Sequence, residues 1–139
     1  MTVMRSIGAL VIALAAGVAA PALAHHSFAM FDHTRTLTLV GTVTVFRWAN
    51  PHATLELDVP ESGGAVKHYT LELTSINMMQ RNGWRSNMIK AGDRVTATIA
   101  PLLSGEPAGL LLDVTLPDGR TLEPGVPALT TFKRTPAAP

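Results

Sequence analysis

The alternation of apolar and polar residues in segment 36–48, TLTLVGTVTVFRW, constrains the fold of this chain most. A period of two is typical of a β-strand with one buried face. The first apolar phase consists of Leu37, Leu39, Val43 and Val45. The phase then shifts by one residue to Phe46 and Trp48. This shift predicts a β-bulge or a sharp bend, and Gly41 within the strand favours strong coiling.

The rest of the chain predicts four more strands and one short helix. The strands are expected at residues 52–59, 66–73, 94–101 and 109–117. Between the third and fourth strands, Thr74 or Ser75 can cap a short helix that ends at Gly83, with Trp84 behind it. That ending is typical of a left-handed glycine cap with a hydrophobic contact. Asp118-Gly119 indicates a small final hairpin.

This order of elements indicates the fold class. Three strands, a short helix and two more strands, with a long and bent first strand, are the element order of the OB-type barrel. We therefore predict an all-β fold, a small OB-like antiparallel barrel of five to six strands with one short helix between strands three and four. A generic antiparallel sandwich is the alternative that the same elements allow.

The first 24 residues have the features of an export signal. Arg5 supplies positive charge, residues 7–20 form an apolar run, and Ala22-Leu23-Ala24 is a small-x-small cleavage site. The run is shorter than the roughly 20 residues that a membrane-spanning helix needs. We predict a signal peptide over residues 1–24, cleaved after Ala24, and a bacterial periplasmic or secreted protein without a membrane span after processing. An uncleaved anchor is the alternative.

The remaining chain is expected to form one domain. We predict an OB-like barrel over residues 25–122 and a flexible, proline-rich tail over residues 123–139. The whole chain has 11 Lys and Arg residues and 10 Asp and Glu residues. Arg5 is the only charged residue of the predicted signal, so its removal leaves equal numbers of basic and acidic residues and no net charge on the mature chain. Nothing in this charge balance favours a nucleic-acid partner.

Several classes of chemistry are excluded by residues or motifs that the sequence lacks. The chain has no cysteine, which excludes disulfides, thiol nucleophiles and cysteine-based zinc sites. It also lacks the nucleophile elbow, the zinc-protease motif and the glycine-rich phosphate and dinucleotide loops. We therefore expect a protein that is not an enzyme.

Three histidines are the candidate metal ligands. Cleavage after Ala24 makes His25 the first residue, and its α-amine, with a pKa of about 8, can close a chelate ring with the imidazole on one ion. His26 adds a second imidazole, and His52, on the polar face of the second strand with Glu56, is the third candidate. Nitrogen ligands of this kind suit copper(II) first and zinc second. The alternatives are a solvated terminus and a His52 that only bonds its turn.

Two tryptophans are the candidates for a different kind of site. Trp48 and Trp84, together with Phe46, can form an aromatic surface that binds a peptide or a saccharide, because OB-type barrels often bind ligands on such a face. The alternative, which burial statistics favour, is that these rings close the core. Met78, Met79 and Met88 are possible soft ligands for copper, but helical methionines beside a barrel mouth more usually fill the core, and this is the interpretation adopted for them.

Four stretches of the sequence resemble a known family. They are AHHSF, GTVTVFRWANPHATLELDV, RNGWRSNMIKAGDRVTATIAP and LLDVTLPDGRTL. Together they are similar to domain-of-unknown-function family 6152, a group of small exported bacterial proteins. The resemblance implies an exported β-barrel and brings no activity with it. The motif positions that it carries over are His25, His26, Ser27, Asn50, Pro51, His52, Gly83 and Trp84.

The sequence thus leaves two functions open. One is a small exported β-barrel protein that binds copper(II), or zinc, through its mature N-terminal histidine. The other is a metal-free periplasmic module that binds a peptide, a saccharide or a partner protein.

Overall fold

The structure, a computed structural model, describes residues 28–126. A 3-10 helix at Phe28–Met30 precedes one α-helix and six strands. These elements are β1 (Leu37–Arg47), β2 (Thr54–Pro60), β3 (Val66–Glu72), α1 (Ile76–Arg81), β4 (Arg94–Pro101), β5 (Ala108–Thr115) and β6 (Thr121–Leu122). The predicted mainly β fold, with one short α-helix between strands three and four, is confirmed. Within residues 28–126, no helix is long and apolar enough to span a membrane.

The first five strands close into a barrel. Strand order in the sheet is β3-β2-β1-β4-β5-β6, and an additional pairing joins β3 to β5. All neighbours are antiparallel except β3 and β5, which run parallel from Thr70 opposite Ala108 to Glu72 opposite Leu110. The β3–β5 pairing closes the sheet on itself, as in an OB-type barrel and unlike a sandwich. β6 adds a sixth strand to β5, at the predicted final hairpin.

β1 carries the predicted bulge, which lets one strand pair with both β2 and β4. Val43 pairs with Leu57 and Val45 pairs with Glu56, so Thr44 is the extra residue. The bulge turns Val45 outward, to 37% exposure, and Phe46 packs on the core instead. The prediction that Val45 shares the buried phase of Val43 is therefore wrong.

α1 and its flanks close one end of the barrel. Ser75 caps the helix by accepting a hydrogen bond from the backbone N–H of Met78. Gly83 follows with a φ of 85°, and the Trp84 N–H donates to the Met79 carbonyl at 3.0 Å. Met79 and Trp84 are both fully buried in the main core. The predicted glycine cap with a hydrophobic contact is confirmed.

A second apolar cluster covers the outside of β5. Leu111 and Val114 face the main core, whereas Leu110 and Leu112 pack outward in a separate group. The other members of that group are Phe31, Ala100 and Val126. Because the chain covers β5 from both sides, nearly the whole strand is buried.

The end of the described chain packs on the barrel. The Trp84 Nε1–H donates to the Glu123 carbonyl at 2.8 Å, and the Thr74 hydroxyl donates to the Pro124 carbonyl at 2.5 Å. The side chain of Val126 is buried. The packed part of the chain therefore extends past the predicted domain limit at residue 122. The rest of the predicted tail, residues 127–139, lies outside the described residues.

Candidate functional site

His52 lies where the chain enters β2. The preceding Asn50–Pro51 peptide bond is cis. The next residue, Ala53, donates its N–H to the Thr74 carbonyl at 3.1 Å and accepts the Leu73 N–H at 2.9 Å. These two bonds extend the β2–β3 ladder beyond the strands and bring His52 to the end of β3.

The side chain of His52 pairs with Glu72. Its Nδ1 lies 2.5 Å from Glu72 Oε1, and both side chains are partly buried. Glu72 is the last residue of β3, and Thr54 of β2 is its register partner. A carboxylate at Nδ1 orients the imidazole ring and favours the tautomer in which Nδ1 carries a proton.

The His52–Glu72 pair lies on the wall of a cavity of about 200 Å³. The cavity is mostly apolar and forms where the 3-10 helix, β3, β5 and the start of α1 meet. Its lining consists of Phe28, Phe31, His52, Glu72, Leu73, Thr74, Ser75, Met78 and Leu110. A neighbouring cavity of about 210 Å³, which Met30 and Leu102 help to line, shares Phe31 and Glu72 with it. A small apolar site with one polar pair on its wall is typical of a binding pocket.

His68 forms a separate polar cluster on the outer face of β2 and β3. Its Nδ1 lies 2.8 Å from Asp58, and its Nε2 lies 3.4 Å from Glu56. The hydrogen bond to Asp58, and then the weaker interaction with Glu56, raise the pKa of His68 above its ordinary value of 6.5. His52 and Glu56 lie on the same outer face of the second strand, as the sequence indicated, but the ionic contact of Glu56 is with His68.

The two candidate tryptophans belong to one packed aromatic group. Phe46 lies between them, with its ring centroid 5.8 Å from that of Trp48 and 6.2 Å from that of Trp84. Trp84 is 0% exposed, whereas Trp48 is half-buried. Of the predicted aromatic surface, Trp48 and Phe46 thus remain partly open to solvent.

The two terminal histidines, His25 and His26, lie outside the described residues. The described chain begins at Phe28, which lines the same cavity as His52. Within residues 28–126, no group of three or more His, Cys, Asp or Glu side chains is arranged to hold a metal ion. His52 and Glu72 would therefore need further ligands to hold one.

Sequence reasoning missed the role of Glu72 and the apolar cavity beside it. The hairpin between β2 and β3 carries the signal for Glu72. Pro60 pairs with Val66, and counting back from this turn places Thr54 opposite Glu72. His52 is then a diagonal neighbour of Glu72. The cavity has no comparable signal, because it forms between elements that are distant in sequence.

The fold and the pocket define a class, a small OB-type barrel with a histidine–carboxylate pair on the wall of an apolar cavity. The chain belongs to a family of unknown function (DUF6152), which it matches over residues 13–112. The predicted family membership is thus confirmed. No curated protein and no solved structure matches the chain.

Proposed function

We propose that this protein is exported and binds copper(II) through the α-amine and imidazole of a mature N-terminal His25, together with His26 and His52. The observation that carries the proposal is the contact of His52 Nδ1 with Glu72. Metal-binding histidines almost always donate their other ring N–H to a carboxylate, a carbonyl or water. A copper ion at His52 would then bind at Nε2.

Chain connectivity supports the participation of the terminal histidines. Phe28 lines the cavity that His52 borders, and His25 precedes it by only three residues. Three residues span at most about 10 Å. The amine and ring of His25 are thus within reach of the same cavity, which lies between the start of the described chain and the end of β3.

The ligand set favours copper over other ions. An amine and three imidazoles are nitrogen donors of intermediate softness, and copper(II) binds such ligands most tightly in the divalent series. Zinc accepts the same donors less tightly. Calcium and magnesium prefer oxygen ligands, and among residues 28–126 the carboxylate of Glu72 is the one that lines this cavity, which gives these ions little to bind.

Chelator competition with copper(II) tests the proposal. The protein that begins at His25 is compared with a form carrying one alanine ahead of His25 and with His52→Ala. We expect both changes to weaken the affinity at least about tenfold, which corresponds to one lost ligand bond of about 1.4 kcal/mol. His68→Ala, in the separate cluster, is the control and should keep the wild-type affinity. Unchanged affinity in the extended form would contradict the proposal.

Export and cleavage need their own measurement. The full chain is expressed in a bacterial host, and the mass of the protein is determined in the periplasmic fraction. We expect a single species that begins at His25, because Ala22 and Ala24 provide small residues at the cleavage site. A chain retained in the cytoplasm, or cleaved elsewhere, would leave no α-amine on His25.

The second candidate function is a metal-free periplasmic module that binds a peptide, a saccharide or a partner protein. The half-buried Trp48, edge-on to Phe46, favours it, and so do the exposed apolar side chains of Phe28, Met30 and Leu103. Tryptophan fluorescence separates the two functions. The tryptophan emission of such a module would change on addition of a peptide or saccharide and would not change on addition of copper(II). Because Trp84 is buried, the change in emission would have to come from Trp48.

A further inference from the structure

We infer that Met78 provides a thioether ligand at the proposed copper site, so that the site binds copper(I) as well as copper(II). This inference rests on the proposed function and extends it to a second oxidation state. Its starting point is that Met78 and His52 line the same cavity, from α1 and from the loop before β2 respectively.

Met78 differs from its neighbour Met79 in what it contacts. Met79 is fully buried in the barrel core, where it fills space. Met78 is half-buried and faces the cavity instead. The packing requirement that explains Met79 therefore does not explain Met78.

Two contacts position Met78, one at its backbone N–H and one at its Cγ. Its backbone N–H donates to the Ser75 hydroxyl at 3.4 Å. On the other side the chain passes very close at Gly125, where an added Cβ would lie 3.0 Å from Met78 Cγ and 2.2 Å from Asn82 Nδ2. Gly125 has a φ of 82°, so a residue without a side chain fits both the conformation and the space. The backbone and Cγ of Met78 are thus positioned before an ion binds, so only the outer torsions of the side chain remain to be ordered.

The chemistry of copper(I) selects a thioether. Copper(I) is a soft ion that prefers sulfur ligands, whereas imidazole serves both oxidation states. The chain contains no cysteine, so any sulfur bound to copper must come from methionine. A His52 imidazole and a Met78 thioether on one cavity provide one ligand of each kind.

The first test compares two methionine variants under anaerobic conditions. Copper(I) affinity is measured by competition with a chromogenic copper(I) chelator for the wild type, Met78→Leu and Met30→Leu, and copper(II) affinity is measured in parallel. Leucine has nearly the volume of methionine, so the fold should be retained. We expect Met78→Leu to weaken copper(I) binding at least about tenfold, with copper(II) binding changed less than about threefold. Met30→Leu should match the wild type, because Met30 lines only the neighbouring cavity.

The second test does not depend on any variant. The X-ray absorption spectrum of the wild-type protein loaded with copper(I) should show one sulfur neighbour, and the copper(II) spectrum should be dominated by nitrogen. A copper(I) spectrum without sulfur, or equal copper(I) affinity in Met78→Leu and wild type, would overturn the inference and leave copper(II) binding intact. A wild-type protein that binds neither ion would instead overturn the proposed function and, with it, this inference.

Discussion

Glu72 contacts the Nδ1 of His52, the described residue that we propose as a metal ligand. Glu72 is the last residue of β3 and pairs with Thr54 in the strand ladder, so its backbone position is set by the sheet rather than by a loop. A carboxylate that accepts a hydrogen bond from Nδ1 makes the lone pair of Nε2 a stronger ligand for a metal ion. It also fixes the orientation of the imidazole ring. At the scale of single residues, the proposed site depends on this pair.

Glu72→Gln tests the role of that carboxylate. Glutamine keeps the size of glutamate and one acceptor oxygen but removes the negative charge. The imidazole nitrogen of His52 therefore becomes a weaker ligand for copper. We expect copper(II) affinity to fall roughly 10–100-fold, the usual effect of losing such an outer partner. Glu56→Gln is the matched control, because Glu56 contacts His68. An unchanged affinity in Glu72→Gln beside a weakened His52→Ala would show that the carboxylate does not act through the ring.

His68 should titrate above its ordinary pKa. The hydrogen bond to Asp58 raises the pKa of His68, with a smaller contribution from Glu56. NMR titration of the imidazole protons should show this elevation, Asp58→Asn should remove most of it, and Glu56→Gln should remove less. The stability that the protonated pair contributes is fully present below pH 6.5 and is lost as the pH rises through the raised pKa. A pKa below 6.5 in the wild type would contradict the observed contacts.

The position of His52 could be predicted from the sequence, whereas its carboxylate partner could not. The position of His52 at a strand end was predictable from the turn residues before it and the alternation after it. Its partner was not assigned, because Glu56 and Glu72 both lie on polar strand positions. Only the β2–β3 register distinguishes the two carboxylates.

At the scale of elements, β5 is almost wholly buried and lies very close to β4 at Gly109. A Cβ on Gly109 would lie 2.6 Å from the Ala100 carbonyl oxygen and 2.8 Å from Ile99 Cδ1. Glycine at this point therefore permits the close approach of β4 and β5 beside the β3–β5 closure.

Gly109→Ala should destabilise the barrel. The methyl group must displace backbone of β4, and overpacking of this kind costs about 1–3 kcal/mol. Gly41→Ala is the comparison, because its nearest atoms, the Asp58 carbonyl oxygen at 2.9 Å and a Val59 methyl at 3.0 Å, are less close. Urea unfolding should therefore rank Gly109→Ala below Gly41→Ala, and both below the wild type. A Gly109→Ala protein as stable as the wild type would contradict the packing described for β5.

The elements themselves were largely predictable, with one instructive exception. The sequence predicted all five barrel strands, the first two from their alternation, and Gly83 with Trp84 predicted the end of α1. The phase shift in β1 predicted a bulge but not its position, since Val45 continues the apolar pattern by composition alone. The position follows from pairing with β2, where Thr44 has no register partner.

At the scale of the whole molecule, residues 123–126, which follow β6, belong to the packed structure. Glu123 and Pro124 accept hydrogen bonds from Trp84 and Thr74, and Val126 joins the outer apolar cluster. These contacts connect the end of the described chain to the cavity wall, because Thr74 lines the cavity.

Two truncations measure what this segment contributes. Ending the chain after Leu122 removes the carbonyl that accepts the Trp84 Nε1–H hydrogen bond, at a cost of about 1–3 kcal/mol. It also removes the buried side chain of Val126, whose burial contributes about 1.5–3 kcal/mol. We expect a total loss of roughly 3–5 kcal/mol in the free energy of unfolding. The control ends after Val126 and keeps both hydrogen-bond acceptors and the Val126 side chain, so it should be more stable than the chain that ends after Leu122. Equal stability of the two truncations would contradict a structural role for residues 123–126.

The architecture was predictable from element order, whereas the location of the site was not. Three strands, a helix and two strands indicate an OB-type barrel before any contact is known. The cavity instead depends on pairing of β3 with β5 and on the return of Phe31 to the outside of β5. These contacts join segments far apart in the chain, and local patterns do not encode them.

Electron paramagnetic resonance of the correctly processed protein with one equivalent of copper(II) tests the central claim most directly. The start at His25 is confirmed by mass beforehand. The account predicts one tight site with several nitrogen ligands, and His52→Ala should lose one imidazole from the spectrum while His68→Ala keeps all of them. Weak or multiple binding in the wild type, or the same set of nitrogen ligands in His52→Ala, would contradict it.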